Sequence, residues 1–352
     1  AHQLACHFAP VARAPADPKH LPVHPQVRDE VELPQHMGTL ERRERALGVA
    51  DGRVPGGIVV VAPRDTPAGV AAGAPVVAVS GQVPSKVLGR GAFQDLDLGA
   101  VFRDVAISTT TVQSGSDHAE LAALAVKHAR DGRGVAHLVL PDEVQALPSE
   151  SPAGSPQGRY SRRPVGPDPA ALARATELVA GARRPVLIVG HGARGAREEV
   201  VALAEQLGAP VLTTFKAKGL VPDTHPLGAG VLGRSGTPVA SWLMNEADLL
   251  VVIGASFAQH TGIAPWQRIV QIDDTPTAIG RFDAVTADLL GDAAVVVPLL
   301  AEAVRAAGSR AEDQRADVAA RWAIWRAEKA RRAADDRGRG VPAAAVFSAL
   351  SA

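Results

Sequence analysis

The 352-residue chain has a single cysteine, Cys6. That excludes an internal disulfide framework and any metal site built from several thiolates. Lysine is scarce, and the charge carries no excess of either sign: 37 basic residues face 37 acidic ones. The basic surplus typical of nucleic-acid-binding proteins is missing, so no nucleic-acid partner is expected. No apolar run approaches the roughly 18 residues of a transmembrane helix. The opening stretch, AHQLACHFAPVARAP, lacks the basic start and long apolar core of a secretory signal. Together these absences imply a cytoplasmic protein. What is abundant is apolar residue, 46% of the chain, enough for buried cores. The length points to two or three domains.

Residues 1–55 show little periodicity. They hold five of the eleven histidines, His2, His7, His20, His24 and His36. No pair has helical spacing backed by a carboxylate, so the segment reads as poorly ordered or divergent and not as a metal site. Order begins with GGIVVVAP (56–63) and APVVAVSG (74–81), short apolar runs bounded by Gly and Pro, the pattern of buried parallel strands. SDHAELAALAVKHARDG (116–132) is an amphipathic helix that Ser116 can cap, and VAHLVLP (135–141) is a further buried strand. Residues 148–170 carry six prolines, three glycines and four serines and read as a linker. From 171 to 308, helices and strands alternate: strands at PVLIVG (185–190), APVLTT (209–214), DLLVVIG (248–254) and RIVQID (268–273), helices between them. AAVVVPLLAEAVRAAG (293–308) starts as an apolar run and passes into a helix, and 309–338 is one charged amphipathic helix carrying Trp322 and Trp325, which are expected to pack. The predicted fold class is α/β: two Rossmann-like, doubly wound parallel-sheet domains, 56–147 and 171–308, joined by the linker and followed by a helical segment over 309–352.

Gly190-x-Gly192-x-x-Gly195 follows a strand and precedes a helix, as a dinucleotide fingerprint does. An NAD site also needs an acidic residue about 20 positions on, at the end of the second strand. That strand ends instead in Thr213, Thr214, Lys216 and Lys218, which disfavours NAD. Two readings stay open for the glycines: a tight strand-to-helix turn, or an anion site at a helix start. Further loops, GAGVLGRSG (228–236), GASFAQHTG (254–262) and QIDDTPTAIGRF (271–282), are expected to converge on the same sheet edge. Asp273 and Asp274 there can accept hydrogen bonds from a ribose, or cap and solvate a turn.

APVVAVSGQVP (74–84), GAFQDLD (91–97), VLPDEVQ (139–145), the run from Gly190 to Gly236, ADLLVVIGASF (247–257) and IVQIDDTPTAIG (269–280) stand in an order and spacing that resemble one family. It is the acetolactate synthase, pyruvate oxidase and quinone-linked pyruvate dehydrogenase group of thiamine-diphosphate enzymes. The resemblance implies a pyrimidine-binding first domain, a central Rossmann-like domain that in many members holds FAD, and a third domain that binds the cofactor diphosphate through Mg²⁺. It implies a 2-keto acid such as pyruvate as substrate, decarboxylated with carboligation or oxidation, and a homodimer or homotetramer. Carried over by motif, Gln82, Phe93 and Gln94 would lie near cofactor and substrate. Gly190, Gly192, Thr213, Thr214, Gly233, Ser235, Gly254, Ala255, Ser256, Phe257, Asp273 and Asp274 would line the flavin groove.

The departures are equally specific. The family's His-Glu pair, whose glutamate activates the aminopyrimidine, is replaced by His36-Met37, and APRDTPAG stands where a Gly-Pro-Gly loop belongs. No Gly-Asp-Gly with a distant Asn follows, so no metal ligand is assigned. A thiazolium electron sink needs all these parts. The resemblance therefore implies a chain that lacks the third domain, and leaves a second reading: a non-catalytic FAD- or ADP-binding protein.

Overall fold

The computed structural model describes residues 58–61, 75–148, 151–152, 158–159, 164–258, 261–334, 338 and 340–350. The histidine-rich start, His36-Met37 and APRDTPAG lie outside them. The chain divides into two compact units, residues 1–161 and 162–352.

In the first unit, four strands form one sheet in the order β1-β2-β4-β3: β1 (Ile58–Val61), β2 (Val76–Gln82), β3 (Ala106–Thr111) and β4 (Val135–Pro141). β2 and β3 run parallel to β4 on either side of it. β1 runs antiparallel to β2, with Ile58 opposite Ser80, which corrects the parallel expectation for 56–63. A parallel return needs a crossover, usually a helix. Only fourteen residues, three of them prolines, separate the two strands in sequence.

Two short helices flank the strand ends: α1 (Leu98–Val101) before β3, and α3 (Asp142–Gln145) after β4. The long helix α2 (His118–Asp131) covers one face of the sheet through Ala125 and Ala129, which meet Ala136 and Leu138. Its cap is Asp117, which accepts from Glu120 N, and not the expected Ser116. The serine hydroxyl is occupied one turn earlier, accepting from Gln113 N. On the other face Val76, Ala78 and Val135 pack with Phe102 and Ala106.

The second unit holds six strands, all parallel, in the order β10-β9-β8-β5-β6-β7. They are β5 (Pro185–Val189), β6 (Val211–Thr213), β7 (Gly228–Val231), β8 (Leu249–Ile253), β9 (Ile269–Asp273) and β10 (Ala287–Leu290). The central strands β5, β8 and β9 are buried along their whole length, hence their unbroken apolar runs. Helices α4 (Pro169–Gly181), α5 (Arg197–Leu207) and α7 (Ala293–Ala307) bury one face. Helices α6 (Pro238–Glu246) and α8 (Arg315–Ala333) bury the other. A last helix, α9 (Ala343–Leu350), packs on α8. Two readings change. The apolar run at 293 is helical from Ala293, because Asp292 caps it by accepting from Ala294 N. β7 and β10, not anticipated as strands, are the two edges of the sheet.

Both tryptophans of α8 pack as expected. Trp322 is buried and donates its indole N–H to Gly228 O of β7 at 2.8 Å, and Trp325 packs against the same core. Ion pairs fasten the helix further, Arg184 to Asp317 at 2.6 Å and Arg321 to Glu246 at 2.6 Å, and Arg183 pairs with Glu312 in the segment that leads into it. No helix among the described residues is long and apolar enough to cross a membrane.

Candidate cofactor sites at two sheet edges

The order of the second sheet turns back between β5 and β8. From β5 the chain winds outward through β6 and β7, then crosses to β8 and winds the other way. A sheet of this kind opens a crevice beyond the carboxyl ends of its strands at that reversal. The loops leaving β5 and β8 meet there. Gly190 N–H donates to Ile253 O at 2.8 Å, Gly192 N–H to Gly254 O at 2.9 Å, and Gly254 N–H to Ile272 O at 2.8 Å. A Cβ on Gly190 would stand 2.1 Å from Gly254 O, and one on Gly192 2.9 Å from Gly254 Cα. Gly254 has φ +59°, and its own Cβ would reach Ala193 N at 2.5 Å. So two glycines of the fingerprint are required because two loops touch backbone to backbone. Their N–H groups are spent on that contact and do not face outward. Gly195 meets nothing within 4 Å.

The other expected residues of this edge separate into two groups. Thr213, Ala255, Phe257 and Asp273 are buried. Thr213 Oγ1 donates to Gly230 O at 3.3 Å, Phe257 belongs to the core beneath β8, and Asp273 Oδ1 accepts from Thr275 N at 2.9 Å. These shape the edge from below. Ser235, Ser256 and Asp274 are exposed and Thr214 and Gly233 half-buried, at the ends of four different strands. One residue escaped the sequence reading. Gln271, buried in β9, donates to Ala278 O at 3.1 Å and accepts from Gly280 N at 3.0 Å. Its Nε2 also lies 3.4 Å from Ala255 O, so it ties the loops after β8 and β9 together. A lone amide within the apolar run RIVQID was the available signal.

In the first unit, a cavity of about 670 Å³ opens at the carboxyl ends of β2, β3 and β4. Gln82 lines it. Its Nε2 donates to Leu96 O at 3.0 Å, while its Oε1 is buried with no hydrogen-bond partner. Leaving a buried acceptor unpaired is costly, so this atom marks a place for a donor. Asp95, Asp97 and Glu143 also line the cavity. Asp97 caps α1, accepting from Ala100 N at 2.9 Å. Glu143 accepts from Ser85 N at 3.1 Å, and this contact with Ser85 holds its carboxyl below the usual range. Phe93 and Gln94 are not part of the cavity wall. Phe93 is 87% exposed on the loop before α1, and Gln94 has φ 63°. A non-glycine residue in the left-handed region is strained, and such strain gathers at functional sites. Among the described residues, no group of three or more His, Cys, Asp or Glu side chains is arranged to hold a metal ion.

Residues 172–300 match the thiamine pyrophosphate enzyme central domain. The chain belongs to the thiamine pyrophosphate enzyme family. Its similarity to other thiamine pyrophosphate enzymes extends into the first unit. The chain is 34% identical over 245 residues to the Bacillus subtilis protein YdaP, whose name describes a thiamine pyrophosphate-containing protein; the match covers 69% of this chain and 42% of YdaP. It is 34% identical over 259 residues to the acetolactate synthase large subunit of Corynebacterium glutamicum, 68% of this chain and 40% of that one. It is 34% identical over 261 residues to the sulfoacetaldehyde acetyltransferase of Rhodobacter capsulatus, 70% of this chain and 43% of that one. The chain thus spans about two fifths of the length of the curated relatives it matches.

Proposed function

We propose that this chain serves a thiamine-diphosphate enzyme acting on pyruvate or a similar 2-keto acid, and that its second unit takes an ADP-containing cofactor, FAD or ADP, at the carboxyl ends of β5 and β8. One observation carries the second part. The sheet reverses at β5 and β8, and glycines let the two loops there close to backbone contact, which shapes the floor of a crevice. The diphosphate would be met by the exposed groups around that floor, Thr214, Ser235 and Ser256, and the ribose by Asp274. Lys216, Lys218 and Arg234 put positive charge on the β6–β7 side. This polarity supports a ligand lying with its phosphates toward β6 and its ribose toward β9.

When bound, thiamine diphosphate supplies the electron sink for decarboxylation. In the first unit Gln82 would bind it, a role that its unpaired Oε1 supports. The described residues do not fit the Mg²⁺ that would hold its diphosphate, and no step is assigned through that ion. The proposal includes assembly as a homodimer or homotetramer. A second reading, nucleotide binding without turnover, is supported by His36-Met37, which stands where the family's activating His-Glu pair is expected.

The deciding experiment titrates the full chain with FAD and with ADP, then adds pyruvate, thiamine diphosphate and Mg²⁺. Binding raises stability by about 2.7 kcal/mol at a hundredfold excess over Kd. A melting shift with FAD or ADP and pyruvate consumption is the expected result. A shift without consumption supports the second reading. No shift with either nucleotide sinks both.

A further inference from the structure

His137 stands in the middle of β4 with 1% of its surface exposed. Its Nε2 lies 2.9 Å from Ser80 Oγ on β2, and its Nδ1 lies 3.5 Å from Thr109 Oγ1 on β3. Its ring stacks on Phe102, with centroids 3.8 Å apart and planes inclined by 18°. Phe102 is the residue that ends α1, and its carbonyl accepts from the N–H groups of Val105 and Ala106. α1 is capped by Asp97, and Leu96 holds the side chain of Gln82. The imidazole is therefore one platform on which the segment 83–105 meets the sheet, beside the packing of Phe102 with Val76, Ala78 and Val135 and the bond from Ser85 N to Glu143.

The platform suits a neutral ring. A hydroxyl can donate or accept, so Ser80 and Thr109 satisfy either tautomer. An imidazolium has two donors and a full charge, and needs an anion when buried. Among the described residues its polar contacts are Ser80 on β2 and Thr109 on β3, and its ring contact is Phe102 at the end of α1. The charged residues nearest along that segment are Asp97, whose Oδ1 is bound to Ala100 N, and Arg103 and Asp104, which are exposed. α2 packs on the opposite face of the sheet through Ala125 and Ala129. Among the described residues the imidazole has no ion-pair partner. Burial accordingly holds it below the ordinary histidine value.

We propose that His137 is a proton-sensitive latch that keeps the segment 83–105 closed on the first sheet and releases it in acid. Once the ring is charged it leaves the strand interface, and Phe102 loses its stacking partner and keeps only its packing with Val76, Ala78 and Val135. The segment that carries Phe93, Gln94 and one wall of the Gln82 cavity then opens. The direction follows from linkage. The closed state depresses the imidazole's affinity for a proton and the open state restores it. Closure is complete above the ordinary histidine value, about 6.5, and weakens as pH falls below it.

The test is amide hydrogen exchange on the full chain, corrected for the intrinsic pH dependence of exchange. In the wild type, opening of 83–105 should increase about fivefold between pH 6.5 and pH 5.5, as one proton is taken up per opening, while β5, β8 and β9 keep their protection. His137→Gln preserves neutral hydrogen bonding and should flatten that dependence. Equal dependence in wild type and variant overturns the latch. If the variant does not fold, an NMR titration of the wild-type ring decides instead. A depressed value matching the loss of protection supports the proposal. An ordinary value, or protection that stays constant through the titration, ends it.

Discussion

At the scale of the residue, Gly254 and Gly195 belong to one crevice and have opposite needs. Gly254 is left-handed and within 2.5 Å of contact with Ala193 N if it gains a Cβ, whereas Gly195 faces open space. Gly254→Ala should cost about 3 kcal/mol, from strain and overpacking together. Gly195→Ala should change stability by no more than about 0.5 kcal/mol. Urea denaturation of the two variants checks both values, and equal losses would contradict the backbone contact. The glycine spacing was legible in the sequence because a strand ran into it and a helix left it. Its purpose was not. Which N–H groups are spent depends on the loop of β8, more than sixty residues away, and no local pattern encodes that partner. Gln82 was singled out through its motif alone, and the structure puts it in the wall of a cavity. Phe93 is exposed beside the left-handed residue Gln94, a conformation which the side-chain chemistry of glutamine does not announce.

Among the elements, the long apolar strands were plain because both faces of β5, β8 and β9 are buried, and burial leaves an unbroken signal. β7 and β10 were not, since GAGV and ADLL are short edge strands whose definition comes from neighbours. β7 in particular is finished by α8, through the bond from Trp322 to Gly228. α8 should then owe its place to that one ring more than to its many charges. Trp322→Ala is expected to destabilise the second unit by about 4 kcal/mol. Ile324→Ala, on the exposed side of the same helix, should cost less than about 0.5 kcal/mol. Guanidinium unfolding followed by circular dichroism reads both. If the two substitutions prove equivalent, the ion pairs of Arg184 and Arg321 hold the helix instead.

For the whole molecule, the division into two units is the feature with thermodynamic consequences. Each has its own sheet and its own buried clusters. Calorimetry of the full chain should resolve two transitions, and FAD or ADP should raise only the one that belongs to residues 162–352. A single transition that moves as a whole with nucleotide would show the units to be one cooperative body. The alternation of strand and helix revealed this architecture from sequence in the second unit more clearly than in the first. There the reversed direction of β1 had no signature beyond a short, proline-broken interval.

The placement of the tryptophans has an optical consequence. All four, Trp242, Trp266, Trp322 and Trp325, fall in the second unit, and the first contains none. Excitation at the indole band therefore lights one half of the molecule and leaves the other dark. Trp322 sits in a dry, hydrogen-bonded setting and Trp266 is 76% exposed, so the emission combines a blue component with a red one that aqueous quenchers can reach. An unfolding curve recorded by fluorescence is blind to the first unit. Its disagreement with a curve recorded by circular dichroism measures, without any label, what that silent half does.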